Sequence, residues 1–215
     1  MKAWHYSASY LIPGLAAIGL VLGGVFAWTT AVFVFLTIPL LDAISGPNAP
    51  RNDEESEERA RKNRLYSWVL YGHLPVQIGL VLLLGFVWTQ QPDTPLWVRA
   101  GWVLSVVLST GGIGITVAHE LIHRRSAWER WIGKLLLMIV HYMHFSIEHV
   151  RGHHALVATE EDPASAPRGM SVYRFMLSTV PAQWRSAWKL EAKRLRKRGL
   201  GTWSYRNEMV LFCLI

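Results

Sequence analysis

The chain is poor in cysteine, in charge and in cofactor-binding motifs. Cys213 is the sole cysteine among 215 residues. No internal disulfide can form, and no cysteine quartet can hold an iron–sulfur cluster. No glycine-rich dinucleotide fingerprint follows a strand. Only 17% of residues are charged, and three stretches, 10–41, 66–91 and 101–118, carry no Asp, Glu, Lys or Arg at all. Each is long enough to cross a bilayer. Lys2 precedes the first apolar run, but no small-residue cleavage site follows a short apolar core, so this run is expected to be retained rather than removed as a secretory signal.

What remains is apolar, aromatic and basic. The mean hydropathy is +0.20, and 11 Trp fit the aromatic belts of an integral membrane protein. The net charge of +7 is read as Lys and Arg on the cytoplasmic side of a membrane, with no nucleic-acid partner. The expected fold is all-α: a polytopic transmembrane bundle with a His-rich metal site at its cytoplasmic face and interfacial helices. Residues 1–215 are expected to form one integral-membrane domain. Thirty-two residues from 10 to 41 would make a helix of about 48 Å, too long for a hydrocarbon core of roughly 30 Å. Gly23-Gly24 can reverse the chain, giving helices over about 10–22 and 25–44. Gly46-Pro47-Asn48-Ala49-Pro50 breaks the second, and a mixed-charge segment runs from Arg51 to Arg64. Further membrane helices are expected over about 66–89, with a kink at Pro75, and 96–123. Residues 131–198 read as interfacial, and 208–215 as the start of another membrane helix.

Basic residues set the orientation. Arg51, Arg59, Arg61, Lys62 and Arg64 occupy one loop, and Arg124, Arg125, Arg130 and Lys134 follow the 96–123 helix. The 89–99 turn has Arg99 alone. The positive-inside rule places the first two groups in the cytoplasm. From 183 to 198, seven Lys and Arg oppose Trp184, Ala187, Trp188, Ala192 and Leu195, a basic amphipathic pattern that Glu191 interrupts.

Seven of the nine histidines fall between positions 119 and 154. His119 and His123 are four apart and share a helical face. His149 and His153 repeat that spacing, and His154 points about 100° away, toward a second metal. His119-Glu-Leu-Ile-His123 also matches the zinc-protease pattern, in which Glu120 would be the general base. One catalytic zinc needs three protein ligands, fewer than the five clustered imidazoles, and histidine-rich ligation with open positions suits iron. His141 and His144 read either as groups that orient the ligands or as plain interfacial residues. His73, inside a membrane helix, reads as a satisfied helix–helix contact, and His5 stands alone.

Several longer motifs carry a family likeness: Pro39-Leu-Leu-Asp42, His119 through Arg124, His144-Phe-Ser-Ile-Glu-His149-Val-Arg-Gly-His153-His154, Ala158-Thr-Glu-Glu-Asp-Pro-Ala-Ser165 and Trp203-Ser-Tyr-Arg-Asn-Glu208. Together they resemble the bacterial alkane 1-monooxygenases, integral-membrane non-haem diiron hydroxylases of the fatty acid desaturase-like group. Three residues separate His149 from His153-His154, where membrane desaturases usually have two. Ile122 and Arg124 stand where the family often has Gly and Lys. The resemblance implies two non-haem iron ions, with His119, His123, His149, His153 and His154 as metal ligands. It implies further histidines beyond Ile215, so that the chain alone is expected to be C-terminally incomplete and inactive.

The implied reaction is terminal hydroxylation of an n-alkane to a primary alcohol with dioxygen. Electrons would come from rubredoxin and rubredoxin reductase, and the setting would be the bacterial inner membrane with the His groups facing the cytoplasm. The basic 185–198 face could steer an acidic rubredoxin or bind anionic lipid. Related diiron hydroxylases, epoxidases or desaturases acting on aromatic side chains or fatty acyl chains are the nearest alternatives. A membrane zinc metalloprotease built on His119, Glu120 and His123, and a non-enzymatic metal-binding module, are more distant ones.

Overall fold

The computed structural model describes residues 3–45 and 64–214. The Gly46–Pro50 helix break, the 51–63 part of the mixed-charge segment, four of its five basic residues and Ile215 lie outside the described residues. All regular structure among the described residues is helical. The chain divides into two compact units, Met1–Leu121 and Ile122–Ile215.

In the first unit, a 3-10 segment, Ala3–Tyr10, leads into α1, Leu11–Leu22. Then come α2 (Gly24–Ser45), α3 (Arg64–Gln90) and α4 (Leu96–Ile122). These last three are long and apolar enough to cross a membrane. The chain leaves α1 at Gly23 and Gly24, with φ of 62° and 52°, values that cost a residue with a Cβ dearly. The reversal brings α1 against the start of α2, close enough that a Cβ on Gly19 would meet the Phe26 carbonyl oxygen at 2.7 Å.

The core of this unit gathers Ala16, Leu20, Ala27, Leu80, Val87, Val98, Trp102 and Val106. Trp102 is fully buried, and its indole N–H donates to the Gly19 carbonyl at 3.0 Å. Ser105 donates to the Ala27 carbonyl at 2.9 Å. Outward-facing Phe35, Leu36, Leu82 and Phe86 are each more than 60% exposed. Such a shell is costly in water and natural against lipid. Pro75 lies inside α3 without ending it. His73 is completely buried, hydrogen-bonded through Nε2 to Ser9 Oγ at 2.8 Å and stacked on Tyr10, while its Nδ1 has no hydrogen-bond partner among the described residues, so the expected contact satisfies this intramembrane histidine only in part.

One end of the unit is aromatic. Trp28 donates to the Trp97 carbonyl, and the Arg99 guanidinium lies 4.6 Å from the Trp88 ring centre while donating to the carbonyls of Gln91 and Pro92. This is the arrangement of an interfacial anchor. At 1.5 Å per residue, α4 carries the chain about 35 Å from that end before it reaches His119. Midway, α4 loosens into a π-turn at Leu108–Gly114. There Ser109 donates to Gln77 Oε1 at 2.9 Å, and Gln77 returns a longer bond to the Ser109 carbonyl, so α3 satisfies polar groups that the π-turn leaves open.

The second unit contains α5 (Ala127–Ile139), a helical segment α6 over 145–156, α7 (Val172–Arg196) and α8 (Glu208–Leu214). Ser171 caps α7 by accepting the Arg174 N–H. The buried positions of α7 are Thr179, Gln183, Ala187, Glu191 and Leu195. They recur every fourth residue and form one stripe packed on α6. Glu191 thus belongs to the buried face rather than breaking an apolar one. It is fully buried, accepting from Arg151, from Arg194 through two nitrogens and from the Glu208 backbone N–H. Burial alone opposes its charge, yet these donors hold its pKa at about 2. Lys134 of α5 pairs with Glu208. Ile147, Ala187 and Met209 complete the apolar centre.

Candidate metal centre

His123 follows the last turn of α4, and His149 and His154 lie on α6. The three imidazoles converge inside the second unit. His149 Nε2 is 3.1 Å from His123 Nε2 and 3.1 Å from His154 Nε2. The His123 and His154 rings stack at 4.8 Å. His119 lies one turn before His123 on the same helix.

The backbone explains a difference from the spacing argument. A regular α-helix would put His149 and His153 on one face and turn His154 away. Residues His149–His153 instead form a π-turn, whose wider pitch returns to the same face after about five residues rather than four. His149 and His154 therefore meet at their Nε2 atoms. The His153 ring still lies over His149 at 5.3 Å, but its Nδ1 faces Asp162 Oδ2 at 2.8 Å. That leaves Nε2 as the nitrogen of His153 available to a cation.

Asp162 is buried and tied down. Ser165 Oγ donates to one oxygen at 2.6 Å and the Ala164 N–H to the other at 2.9 Å. Burial raises its pKa, but the bonds from Ser165, Ala164 and His153 outweigh that and hold the carboxyl below its ordinary value. A carboxylate on Nδ1 fixes the imidazole tautomer and makes Nε2 a better donor. Asp162 sits in the Ala158–Ser165 motif, but its partner was not legible from spacing, because the chain must turn back after α6 to bring it under His153.

Glu148 is the second acidic neighbour. It is almost fully buried, pushed up in pKa by burial and then by the charge of Asp162. Its Oε1 accepts weakly from Ser186 at 3.4 Å. Gly152 makes room for it: a Cβ there would collide with Glu148 Oε1. Tyr142 donates to Gln183 Oε1 at 2.6 Å, and Gln183 donates to Thr179 Oγ1 at 3.1 Å, pinning α7 beside the segment that carries the histidines.

The donor set fits a transition metal. Imidazole nitrogens each roughly 2.1 Å from a shared cation, at angles of 90–110°, sit about 3.0–3.4 Å apart. The observed separations fall within that range. One neutral imidazole offers one N–H and one lone pair, so hydrogen bonding alone is a poor account of one nitrogen facing two others.

The sequence comparisons accord with this chemistry. The chain is 39% identical to alkane 1-monooxygenase 1 of Pseudomonas aeruginosa, an alignment covering 88% of the chain and 50% of that protein. It is 33% identical to the alkane 1-monooxygenase of Pseudomonas putida, over 97% of the chain and 53% of the relative. The hydroxylase component of the xylene/toluene monooxygenase of Pseudomonas putida is 32% identical over 93% of the chain and 53% of its own length. The chain spans about half the length of the curated relatives it matches. The fatty acid desaturase family matches residues 92–215, which include every histidine of the cluster and more than half of the sequence; the chain belongs to the fatty acid desaturase family.

Proposed function

We propose that the protein is a membrane-bound non-haem diiron monooxygenase that hydroxylates the terminal methyl of n-alkanes. The overall conversion takes an alkane, dioxygen, two electrons and two protons to a primary alcohol and water. The observation that carries this reading is the convergence of the His123, His149 and His154 nitrogens at 3.1 Å, in a chain whose matched relatives include alkane 1-monooxygenases. His119, His123, His149, His153 and His154 would hold iron, which when bound supplies the activation of dioxygen.

The chain's own residues supply order. Asp162 orients His153 and the π-turn sets His149 against His154. The apolar outer faces of α2 and α3 suit a substrate dissolved in the bilayer. Electrons come from rubredoxin and its reductase, and the His cluster faces the cytoplasm of a bacterial inner membrane, the side to which the positive-inside rule assigns Arg124, Arg125 and Arg130.

The test is the whole protein in nanodiscs, with metal content measured and n-octane offered together with reduced rubredoxin under air. About two irons per chain and oxygen-dependent 1-octanol are expected. Zinc as the bound metal, or alcohol formation that persists without rubredoxin, would overturn the respective parts. The likeness to the xylene/toluene hydroxylase component favours one second reading, attack on an aromatic methyl. Toluene in the same assay separates the two.

A further inference from the structure

A cavity of about 140 Å³ lies in the second unit, lined by Met138, His141, Met143, His144, Trp184 and Phe212. Its most unusual wall is His144. This side chain is only 3% exposed, and neither ring nitrogen has a hydrogen-bond partner among the described residues. The ring is held edge-on between Tyr142 and Trp184. A buried imidazole with both nitrogens idle is costly, because each has lost water without replacement. Burial also lowers its pKa to about 4, so it offers one N–H and one lone pair and no charge.

The backbone around the cavity also departs from the ordinary. Helix α5 closes with Tyr142 N–H on the Leu137 carbonyl and His141 N–H on the Met138 carbonyl, and His141 takes a φ of 52°. That position of this helix end is usually glycine. Helix α7 closes with the same pair of bonds and does place a glycine there, Gly199, at φ of 70°. At α5 a histidine bears the strain instead, and it lines the cavity.

We propose that this cavity binds the hydroxyl end of a long-chain primary alcohol, with His144 exchanging hydrogen bonds with the hydroxyl and the Met138, Met143, Trp184 and Phe212 side chains covering the first methylenes. A hydroxyl both donates and accepts, which matches a neutral imidazole. An alkane would leave both nitrogens unsatisfied. A carboxylate would enter uncompensated, since no Lys or Arg lines the cavity. The volume equals that of about four or five waters, enough for a hydroxyl and a few methylenes, with the remaining tail outside. The assignment rests on the alcohol-forming reading above and makes this a holding site for that product.

The test uses the protein in nanodiscs without added iron, with histidine side chains labelled with nitrogen-15. 1-Dodecanol and dodecane are added at equal mole fraction in the lipid. The alcohol is expected to shift the His144 nitrogen resonances and Trp184 emission saturably, and dodecane to shift neither. His144→Phe should weaken alcohol binding about tenfold, the loss of one or two net hydrogen bonds. Phe212→Trp, which narrows the cavity from the opposite wall and leaves His144 in place, should do likewise. Equal responses to alcohol and alkane, or unaltered binding in both variants, would overturn the proposal, as would His144 resonances that report water alone at every alcohol concentration. Because no turnover is measured, a failed hydroxylation assay sinks the proposed function and not the site, and a failed titration sinks the site and not the function.

Discussion

Replacing Glu191 tests whether the ionic hub under the histidine segment holds the second unit together. Its carboxylate has no exposure, and its pKa sits at about 2 against an ordinary 4.5. That gap of about 2.5 units corresponds to about 3 kcal/mol of preference for the charged, folded form. The partners temper the figure, because Arg151 and Arg194 keep 34% and 25% of their side-chain exposure and can turn partly to water. Glu191→Gln preserves volume and one acceptor oxygen but presents an amide to a guanidinium, and should cost about 2–3 kcal/mol. Glu191→Ala also abandons the Glu208 N–H, and should cost about 3–5 kcal/mol.

The pH dependence has a definite sign. A carboxylate whose folded pKa is depressed stabilises fully above its unfolded pKa and stops doing so as pH falls through the folded value. The gap in stability between wild type and Glu191→Gln should therefore be complete at pH 5 and close progressively toward pH 2. Denaturant unfolding in mixed micelles, followed by emission from Trp188, reads it directly. A gap under about 0.5 kcal/mol at pH 6, or one that stays constant down to pH 2, would refute the reasoning.

Other perturbations probe the remaining links. Asp162→Asn removes the carboxylate that faces His153 Nδ1 and should weaken metal binding about 10–100-fold with helix content unchanged, measurable by competition with a chelator dye. Gly152→Ala drives a methyl into Glu148 and should destabilise by about 1–3 kcal/mol. Pairing it with Glu148→Ala should restore much of that loss, and strict additivity in the double mutant cycle would show the collision is not the cause. In the first unit, Trp102→Ala should cost about 3–5 kcal/mol, through its cavity and the lost bond to Gly19. Trp102→Phe, which keeps most of the volume, should cost clearly less in the same unfolding assay.

How much of this was legible in the sequence depends on whether the governing interaction is local. The apolar lengths, the Gly23-Gly24 reversal and the pairing of His119 with His123 follow from periodicity and from glycine's tolerance of positive φ, both properties of a few consecutive residues. The grouping of His149, His153 and His154 was not fixed by such rules, because a regular helix and a π-turn rotate the same residues to different faces. What selects the π-turn lies partly outside the segment. Glu148 must be buried beside Gly152, and Arg151 must reach Glu191, some 40 positions away in the chain.

Glu191 shows the same effect in reverse. Read along the helix it interrupts an apolar pattern; read against Arg151 and Arg194 it is the residue that ties the histidine-bearing turn to α7. The carboxylates around the site share this property. Asp162, Glu148 and Glu191 are not among the residues proposed to hold metal. Each constrains a histidine or the turn that carries it, so their identities are set by three-dimensional partners. Exchanging Asp162 for Asn should therefore lower metal affinity as well as stability, and exchanging Glu191 for Gln should first alter stability. The two carboxylates, both held below their ordinary pKa, would then be separable by which measurement moves.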